Sequence, residues 1–131
     1  HLARLLTQVQ FDTIYHEHYA YWSLLAMEAL FARHGLRVFD VERLPTHGGS
    51  LRVFAAAGDR GASAALQGVR AEEAALGLRE DAFYAGFAAR AEKTLAGFRA
   101  WLAQARGRRI GAYGAAAKGN TFLNAAGVTS A

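Results

Sequence analysis

The chain has 131 residues, 53% hydrophobic and 20% charged, which is the balance of one small globular domain and excludes an intrinsically disordered segment. It has no cysteine, which excludes a disulfide framework, a thiolate metal site and a cysteine nucleophile within these residues. The net charge of +4 suits an anionic partner, but the scattered arginines and helically spaced aromatics disfavour nucleic acid.

The ends of the chain and its hydropathy lead to two expectations about its context. No apolar run approaches the roughly 20 residues that cross a bilayer, and no signal peptide pattern opens the chain, so we expect a cytoplasmic protein without a membrane partner. Because the chain begins at His1 and stops at Ala131, just after a glycine-rich turn, we also expect it to be a fragment of a larger protein.

The first predicted elements are two helices. Apolar residues at helical spacing up to Val9 predict the tail of an amphipathic helix, and residues 11–15 then predict a short extended piece. Ser23 is a typical N-cap for a helix over residues 24–34, and Gly35 follows as its C-terminal stop.

Two strands are predicted next, around a loop that contains a proline and two glycines. Apolar and polar residues alternate over residues 36–44 and 51–55, which predicts an antiparallel hairpin. Pro45 fixes φ on one side of the loop, while Gly48 and Gly49 permit positive φ or the close approach of a ligand. The loop is thus either a plain hairpin connection or a backbone surface that lies against a substrate.

The second half of the chain predicts two more helices. The Ala-rich residues 63–76 form the first, which ends at Gly77. From Asp81 the apolar positions step by three or four to about Arg106, which predicts one long helix that ends at Gly107.

The final segment predicts a strand, a turn and the start of a helix. Residues 108–113 have the pattern of a buried strand, and residues 114–121 that of a strand-to-helix turn, which is how a Rossmann-like unit begins. We find no internal repeat.

The turn resembles a P-loop in part. Gly114, Gly119 and Thr121 fit that pattern, but Asn120 stands where the lysine should be, so an NTPase is disfavoured. Backbone N–H groups at the helix N-terminus still suit a diphosphate, with Lys118 as a nearby charge.

The densest group of reactive side chains follows Ile14. In an extended backbone His16 and His18 share one face, and Tyr15 and Glu17 share the other. The pair of histidines could hold zinc or iron with His47 or Glu17 as third ligand, or these could be satisfied polar groups at a strand end. We favour catalysis, because a histidine with its ordinary pKa of about 6.5 can act as a general base at neutral pH.

Three motifs carry a resemblance to a known family. They read FDTIYHEHY at residues 11–19, PTHGGSLR at residues 45–52 and YGAAAKGNT at residues 113–121. Together they resemble the sugar-nucleotide C-methyltransferases of deoxysugar biosynthesis, and the likeness covers essentially the whole chain. Members of that family have an N-terminal Cys-rich zinc module, a central S-adenosylmethionine-binding Rossmann domain and a C-terminal Rossmann-like domain.

The resemblance implies an α/β fragment in three parts. Residues 1–57 would be the C-terminal part of a class I Rossmann methyltransferase domain, including its closing β-hairpin. Residues 58–107 would be a helical connector, and residues 108–131 the first βα unit of the C-terminal nucleotide-sugar-binding domain. The donor site for S-adenosyl-L-methionine would lie mostly outside this chain, as would the zinc module, and we expect no metal here.

The same resemblance implies a chemistry and a set of site residues. The family deprotonates C3 of a 4-keto sugar nucleotide, dTDP-linked by resemblance, and the enolate carbon takes the methyl group. His18 matches the catalytic base, and Tyr15 and Glu17 match residues that orient it or bind the sugar, while His16 would be structural. The implied substrate-binding residues are His47, Gly48, Gly49, Ser50, Arg52, Tyr113, Gly114, Lys118, Gly119 and Asn120.

Two other classes of function are open on the sequence. One is a binding or interaction fragment without an intact site, which is how we expect the isolated chain to behave. The other is a nucleotide-binding domain of a dehydrogenase or NTPase, which only the glycine turn after Tyr113 suggests.

Overall fold

The fold is a mixture of short helices with one β-hairpin. The computed structural model describes residues 1–114 and 116–129, so Ala115 of the predicted glycine turn and the last two residues of the predicted C-terminal unit lie outside the described residues. The helices are α1 (Leu2–Thr7), α2 (Leu24–Arg33), α3 (Ala64–Ala75), α4 (Asp81–Ala85), α5 (Phe87–Gln104) and α6 (Ala117–Ala125). The strands are β1 (Leu36–Leu44) and β2 (Ser50–Ala57), and short 3₁₀ turns occupy Phe11–Thr13 and Thr46–Gly48.

The antiparallel hairpin is confirmed, and it forms one side of the core. Its register runs from Leu36 opposite Ala57 to Leu44 opposite Ser50, with an irregularity between Val38 and Asp40. Helices α2 and α3 pack against β1, and the apolar side chains that they bury with the hairpin supply the main stabilising contribution. The buried core residues are Leu24, Val38, Val41, Leu66 and Val69.

Serine caps begin both helices that cover the hairpin. The Ser23 hydroxyl accepts a hydrogen bond from the Ala26 N–H at 3.1 Å, as the sequence predicts. At the other end of α2, Gly35 has a φ of 70°, a left-handed conformation that glycine adopts without strain. Ser63 caps α3 in the same way, through a 3.0 Å bond from the Leu66 N–H.

A buried carboxylate joins α3 to the start of α2. Glu73 is 4% exposed, and its two oxygens accept hydrogen bonds from the Leu24 and Leu25 N–H groups at 2.8 and 2.9 Å. These N–H groups have no partner within their own helix, because the first turn of a helix leaves its donors free. Glu73 therefore caps α2 from a different element, a role that nothing in the local pattern of α3 predicts.

Two predicted elements have different local conformations in the structure. The prediction of an extended piece over residues 11–15 is wrong, because Phe11–Thr13 is a 3₁₀ turn. In this turn the Thr13 N–H and hydroxyl both donate to the Gln10 carbonyl. The single long helix from Asp81 is interrupted at Gly86, which separates α4 from α5. Glycine weakens a helix interior by about 1 kcal/mol relative to alanine, which lowers the cost of a break at this position.

The predicted strand over residues 108–113 is wrong. These residues form no strand and are exposed, with Ile110 51% and Tyr113 fully accessible to solvent. A strand needs a neighbour for its backbone hydrogen bonds, and within the described residues β1 and β2 pair only with each other. The helix predicted after the turn is confirmed as α6.

None of the helices in residues 1–114 and 116–129 combines the length and the apolar character needed to cross a membrane.

Candidate functional site

The three sequence motifs meet at one cavity of about 360 Å³. The first motif contributes Thr13 and His18 to its lining, the hairpin loop contributes His47, Gly49 and Ser50, and the start of α6 contributes Lys118. The structure brings together five of the residues predicted for catalysis or binding: His18, His47, Gly49, Ser50 and Lys118.

Aromatic packing brings α6 to this cavity. The Phe122 ring stacks on Phe11 with centroids 5.7 Å apart and meets the edge of Phe98 of α5 at 5.0 Å. Lys118 lies one turn earlier on α6, and its Nζ lies 3.5 Å from the His47 carbonyl oxygen. The C-terminal helix thereby places a cation beside the hairpin loop, 71 residues away in sequence.

The His18 ring is held by a backbone carbonyl. Its Nδ1 lies 2.7 Å from the Thr13 oxygen, and because a carbonyl oxygen only accepts, Nδ1 carries the hydrogen. The Tyr21 hydroxyl donates to the same oxygen at 3.1 Å, and the Tyr15 ring packs on the imidazole with centroids 4.3 Å apart. In this tautomer Nε2 is the nitrogen that can accept a proton.

The hairpin loop has an unusual run of left-handed backbone. His47, Gly48 and Gly49 have φ values of 54°, 81° and 111°, and only the first of these residues is strained by its side chain. Ser50 closes the loop by donating its hydroxyl to the Thr46 carbonyl at 3.1 Å. The run turns the His47 backbone toward α6, where its carbonyl meets Lys118.

Both loop glycines lie directly under side chains that approach from the N-terminal segment. A Cβ on Gly48 would come within 2.8 Å of the Gln10 Nε2, and a Cβ on Gly49 within 2.9 Å of the Arg4 Cδ. The close approach that the two glycines permit is therefore made by side chains of this chain.

The other predicted site residues lie away from the cavity. Glu17 is exposed and its Oε1 lies 4.0 Å from the His16 Nε2, while Tyr113 extends into solvent. Arg52 forms an ion pair across the hairpin with Glu42 at 2.7 Å. The remaining residues of the glycine turn are exposed and outside the lining: Gly114, Gly119 and Asn120.

The lining also contains residues that sequence reasoning did not select: His1, Gln10, Thr13, Tyr21 and Trp22. The Nδ1 of His1 is buried without a hydrogen-bond partner. The available signal was proximity to the reactive motif, since Gln10 and Thr13 precede it and Tyr21 belongs to the aromatic run that follows. Thr13 acts through its backbone, which no side-chain pattern reveals.

The charge of the cavity suits an anion. Among the described residues its lining includes Lys118 and no Asp or Glu, so nothing acidic in it opposes a negatively charged ligand. Within residues 1–114 and 116–129 there is also no group of three His, Asp or Glu side chains placed to hold a metal ion. The zinc or iron interpretation of the histidine pair thus lacks a ligand set in this part of the chain.

Comparison with known proteins places the chain among methyltransferases. Residues 45–131 match the family model for a C-methyltransferase C-terminal domain. The chain is also 42% identical over 132 residues to C-methyltransferase NovU from Streptomyces niveus, an alignment that covers 98% of this chain and 31% of that protein. The family resemblance indicated by the three motifs is confirmed, and the chain belongs to the C-methyltransferase family that this C-terminal domain defines.

Proposed function

We propose that this chain is part of an S-adenosylmethionine-dependent enzyme that C-methylates a nucleotide-linked 4-keto-deoxysugar at C3. The main support is the placement of His18, an oriented imidazole on a cavity that also contains the His47 loop and Lys118. The similarity to a C-methyltransferase supports the reaction class.

His18 is the base in this proposal. Its Nε2 takes the proton from C3, and the electron pair of the broken C–H bond moves into the C4 carbonyl to give the enolate. The imidazolium that forms keeps its Nδ1–H on the Thr13 carbonyl oxygen, which fixes the ring and offsets its positive charge. Tyr15 holds the imidazole from one face.

Lys118 and the loop bind the nucleotide sugar. The Lys118 ammonium is the charge for the diphosphate, and the backbone at Gly49 and the Ser50 hydroxyl face the sugar across the cavity. The role of Glu17 in orienting the base or binding the sugar rests on the family resemblance. The same holds for the binding roles of Arg52, Tyr113, Gly114, Gly119 and Asn120.

The methyl donor acts as a co-substrate and supplies only the methyl group. The donor carries a positively charged sulfonium, and the described lining offers it Lys118 and no carboxylate, so the charge of this cavity suits the donor poorly. We therefore assign the cavity to the acceptor sugar and infer that the donor site lies mostly outside this chain. The chain also has no cysteine for a zinc module.

The test is exchange of deuterium at C3 of the keto sugar, followed in the full-length protein without methyl donor. His18→Gln should lower the exchange rate by about 10²- to 10⁴-fold, the usual contribution of a general base. His16→Gln is the matched control, because His16 is 87% exposed and outside the lining, and its exchange rate should stay within about twofold of wild type. Retained exchange in the His18 variant would remove His18 as the base.

A second measurement separates the substrate class from other nucleotide-binding proteins. By calorimetry the full-length protein should bind dTDP, and Lys118→Ala should weaken that binding. Binding of ATP or NAD without a response to dTDP would contradict the proposal.

A further inference from the structure

The Gln10 side chain connects the two loops that form the cavity. Its Nε2 donates to the Gly48 carbonyl at 2.9 Å and to the Gln8 Oε1 at 2.8 Å, so both of its amide hydrogens are used. The first bond spans 38 residues and joins the segment before the Tyr-His-Glu-His motif to the tip of the hairpin loop.

The Gln10 backbone connects the same residue to His18. Its carbonyl accepts hydrogen bonds from the Thr13 N–H at 3.1 Å and the Thr13 hydroxyl at 2.8 Å, which closes the 3₁₀ turn. The carbonyl of Thr13 in turn accepts the Nδ1–H of His18. Gln10 therefore bonds directly to the loop that carries His47, and it is connected to His18 through one intervening residue, Thr13.

The backbone next to Gln10 is strained. Val9, just before Gln10, has a φ of 54°, a left-handed conformation that is strained for a β-branched residue. The Gln10 N–H then donates to the Leu5 carbonyl at 2.9 Å, which ends the first helix and directs the side chain toward the loop. Gly48 makes room for it, since a Cβ there would lie 2.8 Å from Nε2.

We propose that Gln10 is a positioning residue that sets the separation between His18 and the His47 loop, and hence the fit of the acceptor sugar between base and loop. The expected effect of Gln10 on turnover rests on the proposed function. Its expected effect on the hairpin loop does not, because the Gln10 amide holds the Gly48 carbonyl whatever reaction takes place.

The test compares Gln10→Glu with Gln67→Glu in the full-length protein. The first substitution keeps the shape of the side chain but places a carboxylate against the Gly48 carbonyl, so this bond becomes repulsive, while the Gln8 amide can turn its NH2 group toward the new carboxylate. The second makes the same chemical change on α3, where the exposed Gln67 amide donates to the nearby Ala62 carbonyl at 3.4 Å. Amide hydrogen exchange of residues 46–50 and the kinetics of C3 exchange and methyl transfer are measured for both.

Gln10→Glu should speed amide exchange in residues 46–50 at least tenfold and lower kcat for C3 exchange by about 10- to 100-fold, the range expected when reacting groups are displaced by about 1 Å. The KM for the methyl donor should stay unchanged, and Gln67→Glu should match wild type in every readout. Gln10→Asn, which keeps the donor on a shorter arm, should recover part of the loop protection.

Unchanged loop exchange in Gln10→Glu would overturn the proposal, as would faster loop exchange with an unaltered kcat. If the wild-type protein neither exchanges C3 hydrogen nor transfers methyl groups, the proposed function fails, and loop exchange alone then decides whether Gln10 holds the loop.

Discussion

Two factors disfavour a side chain at Gly48, the left-handed backbone and the neighbouring Gln10 side chain, and their effects on stability can be measured separately. Gly48 and Gly58 have φ values of 81° and 79°, so alanine at either position costs about 1–2 kcal/mol of left-handed strain. A new Cβ meets nothing at Gly58, but at Gly48 it displaces the Gln10 amide from its carbonyl partner. We expect Gly48→Ala to lose about 1 kcal/mol more than Gly58→Ala in free energy of unfolding, measured by urea denaturation.

Equal losses in the two variants would mean that the Gln10 side chain moves aside without losing its hydrogen bonds. That result would leave backbone strain as the sole reason for glycine at the tip of the loop.

At the scale of single residues, the sequence predicted which side chains lie at the site better than it predicted how they are held. His18, His47 and Lys118 come from separate motifs, and the structure places all three on one cavity. His18 is held by the Thr13 backbone carbonyl, which also accepts from the Tyr21 hydroxyl eight residues later, and the position of that carbonyl depends on a 3₁₀ turn whose sequence looks extended. Backbone acceptors leave no side-chain pattern, so this part of the site could not be predicted.

Between elements, the contact with the largest expected effect on stability is the Glu73 carboxylate at the start of α2. Glu73→Ala would leave the Leu24 and Leu25 N–H groups buried without partners, which costs about 1–3 kcal/mol. Glu80→Ala is the control, because Glu80 is exposed, and its free energy of unfolding should stay within about 0.5 kcal/mol of wild type. A loss in the Glu73 variant no larger than in the control would show that water replaces the carboxylate.

A second contact between elements gives a dependence on pH. The hydrogen bond from Arg43 on β1, more than its charge, lowers the pKa of Glu72 on α3. A lowered pKa in the folded protein means that the pair stabilises it above the ordinary pKa of a glutamate, and that this stabilisation is lost as the pH falls through the lowered one.

Both side chains of this pair are nearly half exposed, at 45% and 44%, so solvent screens the interaction. Glu72→Gln should therefore lose only about 0.2–1 kcal/mol at pH 7, and the difference from wild type should vanish in acid. Urea denaturation at a series of pH values measures this, and a difference that persists in acid would assign the effect to packing.

Elements with local signals were predictable, and elements that need distant partners were not. Ser23 and Gly35 define α2 through hydrogen bonds and φ values within a few residues, and the hairpin pairs neighbouring segments. Residues 108–113 have the composition of a strand, but within the described residues no strand lies beside them. Their exposure follows from the absence of that partner, which a local pattern does not report.

At the scale of the whole molecule, the N-terminal segment and the C-terminal helix meet through aromatic rings. Phe11 precedes the reactive motif, and Phe122 lies on the helix that carries Lys118. The Arg90 guanidinium adds a tie between α5 and α1 by donating to the Leu6 carbonyl at 3.1 Å. The site is therefore assembled by packing between distant parts of the sequence, and its cation depends on contacts outside the cavity.

Phe122→Ala should consequently weaken ligand binding without touching the ligand. Phe122 is half-buried, so its truncation should cost about 2 kcal/mol, roughly half the loss for a phenylalanine in a full core. Part of that loss should appear as release of α6, which would take the Lys118 ammonium away from the His47 loop and reduce the affinity for dTDP about tenfold. Calorimetric titration of the full-length protein measures the affinity, with Leu123→Ala as control, since Leu123 is the adjacent residue of α6 and is 36% exposed. Equal affinities in the two variants would mean that α6 keeps its place without the aromatic contact, and the cation would then be positioned by the His47 loop itself.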